Sequence, residues 1–148
     1  MGDAYGNGAG WRPDGGLGGL LDELVDRVPG VRYAVLLSAA GPEIGSSRGL
    51  SRADARRLAS VAAGFHRVAT DAGRRLGAGS GRRTMVELEA GGWLFVAAAG
   101  RDACLAVLGT GEADPGVVAA ETERLAGRLG GVRRPGPPPS PVPPGTAG

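Results

Sequence analysis

Apolar residues recur through the middle of the chain with two different periods, and the periods divide it into eight elements. Leu17, Leu20, Leu21, Leu24, Val25 and Val28 follow the i, i+3, i+4, i+7 spacing of one helix face, with Asp22, Glu23, Asp26 and Arg27 on the other. Pro29-Gly30 ends that helix. The run VRYAVLLS, Val31 to Ser38, is β-branched and aliphatic and has strand length. Val31, Tyr33, Val35 and Leu37 are assigned to one face and Ala34 and Leu36 to the other. With both faces apolar, the strand is expected to be central and covered on both sides. After the turn Ala39 to Pro42, a short second strand near Glu43–Ser47 carries the Gly and Ser of an edge strand.

Ser51, with Asp54 three residues on, resembles a capping box and opens a helix that runs to about Leu76. Leu58, Val61, Ala62, Phe65, Val68, Ala69, Ala72 and Leu76 form its main stripe. A second stripe of small or mildly polar residues is Ala55, Ala59, Ala63, His66 and Thr70. Such a helix is about 39 Å long at 1.5 Å per residue, whereas five strands span only about 24 Å. It is therefore expected to overhang its own sheet and to offer the second stripe to another subunit.

Gly77 to Gly81 form a loop before a third strand, RRTMVELE, Arg82 to Glu89. Thr84, Val86 and Leu88 are expected to face inward, and Arg83, Met85, Glu87 and Glu89 outward, as on an edge. Tight turns then join WLFVAAA (93–99) and ACLAVL (103–108), each apolar on both faces. Asp114 caps a last helix with Pro115 at its first position. Val118, Thr122, Leu125 and Leu129 line its inner side. The element order is α-β-β-α-β-β-β-α. Strands one, four and five belong in the middle, and short turns tie one to two and three to four to five. The fold class that results is α+β: an α/β sandwich with a five-stranded antiparallel sheet of order 2-1-5-4-3 and helices on both faces.

At this point a family resemblance becomes specific. The helix ending Val-Pro-Gly-Val followed by VRYAVLLSAAGPEIGSS resembles the opening of Roadblock/dynein-light-chain domains. SRADARRLASVAAGFHRVATDAGRRLGAG is similar to the long helix of the actinobacterial, MglB-like GTPase-regulator branch, and VELEAGGWLFVAAAGRDACLAVL to its three-strand meander. Ala40 stands where such domains often carry Asp. The resemblance covers roughly Leu17 to Leu129. It implies a homodimer formed by third-strand pairing across a two-fold axis and by packing of the long helices. The expected interface is Ala55, Ala59, Ala63, His66 and Thr70 on the helix with Thr84, Met85, Val86, Glu87 and Leu88 on the strand. It further implies a non-catalytic regulator or adaptor of a small Ras-like GTPase, in systems that also contain a histidine-kinase-like sensor protein. A dimeric scaffold without effect on nucleotide hydrolysis is the alternative.

Composition sharpens the domain limits. Of 29 Gly and 11 Pro in 148 residues, 13 Gly and 8 Pro fall in segments 1–19 and 130–148. A Gly-rich N-terminal tail, 1–16, and a Pro-rich C-terminal tail, 131–148, are expected to be disordered around a domain spanning 17–130. The net charge is +2, and 14 Arg interleave with 13 acids over residues 20–129. Without a segregated basic face, nucleic-acid binding is not expected. A single cysteine, Cys104, forbids an internal disulfide. No apolar run approaches the length of a membrane span, and the N-terminal segment has no secretory h-region. These features point to a cytoplasmic protein.

Catalytic motifs are sparse. There is no lysine, so no Walker P-loop, and Gly77 to Gly81 precede a strand rather than a helix. Gly45-Ser46-Ser47-Arg48-Gly49 matches G-x-S-x-G, but His66 precedes any later acid and sits mid-helix, so an esterase is a remote alternative. His66 alone makes no zinc site. Glu87 and Glu89 read as a solvated or interfacial pair, and Arg82 and Arg83 as guards of an edge strand. No catalytic residue, cofactor or metal is expected.

Overall fold

The computed structural model describes residues 16–133. The elements are α1 (Leu17–Arg27), β1 (Val31–Ser38), β2 (Glu43–Ser46), α2 (Arg52–Arg75), β3 (Arg83–Glu87), β4 (Trp93–Ala98), β5 (Ala103–Gly109) and α3 (Pro115–Arg133). α3 thus continues three residues past the expected domain limit. The expected N-terminal tail up to residue 15, and the Pro-rich tail from residue 134, lie outside the described residues.

All strand pairs are antiparallel, in the order β2-β1-β5-β4-β3. That is the order derived from burial and turn length. The helix starts are also where the chain's polar residues put them. Ser51 Oγ accepts the Asp54 N–H at 3.0 Å, and Asp114 Oδ1 accepts the Gly116 N–H at 2.9 Å. Each such cap contributes about 1 kcal/mol. α1 has no side-chain cap and is held instead by the burial of Leu17, Leu21 and Leu24.

The sheet is covered on both sides by unlike layers. α1 and α3 pack on one face, over Ala34 and Leu36 of β1, Phe95 and Ala97 of β4, and Leu105 and Val107 of β5. α2 packs on the other, over Val35, Leu37, Leu94, Val96, Cys104 and Ala106. Val31 joins the first face, not the Val35 and Leu37 face to which alternation assigned it. The reason is an irregularity in the β1–β5 register between Val31 and Tyr33, which shifts the alternation by one. In β3, Thr84 and Val86 are half-buried as expected. Leu88 is exposed because the strand ends at Glu87 and Leu88 opens the turn, its N–H donating to the Gly92 carbonyl.

The main stripe of α2 is split: Leu58 and Ala62 pack on the sheet as expected, but they are joined there by the second stripe's alanines, while Val61, Phe65, Val68 and Leu76 face outward. Ala55, Ala59 and Ala62 are 0% exposed and Ala63 is buried with them, facing the protein's own sheet. Val68 and Leu76 are 67% and 82% exposed, and Val61 and Phe65 are partly so. Ala55, Ala59 and Ala63 therefore have no surface to give a second subunit. The physical cause is distance. A helix laid closely on a sheet needs small side chains beneath it, whatever the hydrophobicity of its other face. The overhang is as expected: the 24 residues of α2 are about 36 Å long, and from Gly64 onward none of them is buried.

Two joints orient the layers. The Arg48 N–H donates to Asp22 Oδ1 at 2.8 Å and its guanidinium pairs with Asp22 and Asp26, tying the β2–α2 loop to α1. Arg27 pairs with Glu121 of α3 at 3.1 Å. Exposed ion pairs contribute at most about 1 kcal/mol each, so these steer rather than hold. At the end of α2 the loop folds back so closely that a Cβ on Gly73 would lie 2.0 Å from the Gly79 carbonyl oxygen. The seating of α2 gives a clear expectation. Ala59→Leu should lower stability by about 1–3 kcal/mol through overpacking, whereas Val68→Ala should change the stability of the dissociated chain by less than about 0.5 kcal/mol. Urea denaturation reads both, and the reverse ranking would restore the original stripe assignment.

Candidate interaction surface

The outward face of α2 carries Val61, Phe65, Val68, Ala72 and Leu76. Their spacing of four, three, four and four residues is close to the 3.5-residue seam along which two helices pack. Beside Val61, Phe65 and Val68 lies a shallow groove of about 360 Å³, also lined by Ser60, Gly64 and Arg67. Gly64 has nothing but the tip of Arg67 within 4.0 Å of where a Cβ would be. It leaves a gap in the seam where an incoming side chain has room. This seam was legible as a stripe; what the pattern did not reveal was which way it faces.

Next to the overhanging half of α2 runs β3, which pairs with β4 on one side only. Its outer edge leaves backbone N–H and C=O groups unpaired, a template for another strand. Met85 is 47% exposed on the face shared with α3. Arg83 is ion-paired with Glu123 of α3. Glu87 is exposed, and Thr84 and Val86 are half-buried toward α2. His66 and Thr70 are half-buried and line a cleft at the end of the sheet. The ten residues expected to join two subunits thus divide. Ala55, Ala59 and Ala63 are interior; His66, Thr70 and the β3 residues lie at or near the open edge.

The chemical candidates are occupied by structural roles. Ser47 is buried, and its Oγ accepts the Ala34 N–H at 3.0 Å, pinning the β2–α2 loop to β1. The Gly77 to Gly81 loop closes α2: the N–H groups of Leu76, Gly77, Ala78 and Gly79 take up its last carbonyls. The Gly81 N–H donates to Thr70 Oγ1 at 3.0 Å. Among the described residues no group of His, Cys, Asp and Glu could hold a metal ion, and no helix is long and apolar enough to cross a membrane.

A sequence-family model for the Roadblock/LC7 domain matches residues 17–109, from the start of α1 to the end of β5. The chain belongs to the Roadblock/LC7 family. Among solved structures, a Roadblock/LC7 domain from Streptomyces avermitilis is 40% identical, with a TM-score of 0.70 over 74% of this chain and 91% of that one. The gliding protein MglB of Thermus thermophilus is 22% identical, with a TM-score of 0.68 over 77% and 85%. An MglB in a tetrameric arrangement is 23% identical, with a TM-score of 0.69 over 77% and 85%. At that identity the two MglB structures establish a shared fold. No match was found among curated proteins.

In this Roadblock/LC7 domain the single cysteine is part of the α2 layer. Burial pushes the Cys104 thiol up from 9.0 to about 11. The native protein should therefore resist iodoacetamide at pH 8 and react only after unfolding. Because the thiol ionises in the unfolded chain first, its contribution to stability is complete below pH 9 and is lost as pH rises toward 11. Against Cys104→Ala, the wild type should lose on the order of 2 kcal/mol across that window. Parallel unfolding curves for the two proteins would refute this.

Proposed function

We propose that the protein is a non-catalytic homodimeric regulator or adaptor of a small Ras-like GTPase in a bacterial signalling system. The observation that carries this reading is the adjacency of two unfinished surfaces: the apolar seam on the overhanging half of α2 and the open edge of β3. A second copy completes both at once. An isologous contact needs a self-complementary patch, and β3 has one. Pairing two antiparallel β3 edges about Met85 sets Arg83 opposite Glu87 of the second copy, and Glu87 opposite its Arg83. Opposite charges directly across a ladder contribute about 0.2–1 kcal/mol per pair, while a one-step slip loses both pairs. Family membership and the tetrameric arrangement of an MglB neighbour support self-association.

The GTPase partner rests on the resemblance to the regulator branch of the family. A platform of this kind acts through binding energy alone, and its effect is bounded by its differential affinity for the partner's conformations.

Two expectations follow from the interface. Val68→Asp should shift sedimentation from dimer to monomer at micromolar concentration. Arg83→Glu and Glu87→Arg should each weaken the dimer, and the double variant should recover part of the loss, the contact of Arg83 with Glu123 staying broken. A wild-type monomer would end the reading.

The regulatory part is tested by capture of a small GTPase from the same genome, loaded with GDP or with a non-hydrolysable GTP analogue. Preference of at least about fivefold for one state, a coupling of about 1 kcal/mol, is expected. Equal capture would leave a dimeric scaffold instead.

A further inference from the structure

We propose that the cleft between the overhanging half of α2, the start of β3 and the β4–β5 turn binds the phosphate group of a small phosphorylated molecule. The cleft has a volume of about 560 Å³, within the range of small-molecule sites. Three arginines line it from three separate segments: Arg74 from α2, Arg82 from the loop before β3, and Arg101 from the β4–β5 turn. His66, Thr70 and Ser80 complete its polar lining, and no carboxylate lines it. Among the described residues none of these three Arg is in an ion pair, whereas carboxylates hold Arg27, Arg48 and Arg83 elsewhere.

A bland role for Arg74, neutralising the C-terminal end of α2, does not account for its geometry. The last carbonyls of α2 already accept backbone N–H groups from Leu76 to Gly79. The Arg74 guanidinium turns instead to the Ser80 hydroxyl, at 3.3 Å. Thr70 Oγ1 accepts the Gly81 N–H, which leaves its hydroxyl proton to donate to a ligand oxygen. Burial lowers the His66 imidazole below its ordinary value, so near pH 7 it offers an N–H without adding a fourth charge. Guanidiniums stay protonated at any ordinary pH and repel one another in a shared cleft. A phosphate dianion removes that repulsion and matches their planar donor forks.

This site does not rest on the GTPase partner, but it requires that the β3-paired dimer leave the cleft open. The test uses the full chain in phosphate- and sulfate-free buffer, titrated calorimetrically with inorganic phosphate and with a nucleoside 5′-monophosphate. Saturable binding of one or both is expected, weakening with added salt. Arg82→Gln and Arg101→Gln should each weaken it about ten- to hundredfold, with unchanged circular dichroism and, for Arg101→Gln, unchanged sedimentation. Arg75→Gln, one residue from Arg74 but outside the cleft, should leave it unchanged. Tighter binding of the nucleotide would assign an ester, and equal or weaker binding the free anion. No saturable binding of either probe overturns the proposal, as does equal weakening by Arg75→Gln, which would mean diffuse charge. Binding seen only in Glu89→Gln also overturns it, because β3 pairing about Met85 sets that carboxylate of a second copy beside Gly81 and Arg82, and the dimer itself would then fill the cleft.

Discussion

The close seating of α2 on the sheet is the contact on which the rest of the molecule depends. Ala55, Ala59, Ala62 and Ala63 meet a sheet face that is itself built partly of small groups, Cys104 and Ala106 among them. Two small surfaces bury little area per residue, but they allow backbones to approach, and dispersion contacts fall off steeply with any gap. The opposite face is built differently. There Leu21, Leu24, Phe95, Leu105 and Leu129 interdigitate between α1, α3 and the sheet, and this layer supplies most of the buried apolar volume. The α2 layer contributes position more than volume.

Position has a consequence for chemistry at the surface. Because alanines occupy the inner face, the helix's larger apolar residues have only the outside to go to. The second half of α2, from Gly64 onward, carries no fully buried residue. A monomer does not gain from exposing Val61, Phe65, Val68 and Leu76 along one line. Scattered exposed aliphatics are ordinary, but a continuous exposed stripe beside an open strand edge is the kind of surface that partners cover.

Much of this architecture was legible in the chain. Strand order followed from which runs are apolar on both faces and from turn lengths too short for anything but hairpins. Ser51 and Asp114 announced their helices through capping chemistry that acts locally. What could not be read was the direction of α2. Both of its stripes are apolar enough to be buried, and ranking them by side-chain size favours Val61, Phe65 and Val68. Distance to the sheet decides the other way, and distance is a property of the assembled layers. Val31 was misplaced for a related reason: the register irregularity beside it is set by β5, far away in sequence. Among the candidate site residues, those on β3 could be placed by alternation alone, while Ala55, Ala59 and Ala63 could not.

The motif residues are committed to structure for the same reason. A nucleophile needs exposure and a neighbouring base, yet Ser47 is buried and holds the Ala34 N–H. The glycine-rich loop would need its N–H groups aimed outward to cradle a phosphate, yet they close the end of α2. In both cases the polar groups that a motif search would select are already committed to the backbone, because a sheet covered on both faces has few other places to satisfy its loops. Polar groups with capacity to spare collect where the covering stops. That is the overhanging end of α2, where the apolar seam, the open edge of β3 and the arginine-lined cleft meet. The mismatch between helix length and sheet width therefore gathers all three surface features at one end of the domain.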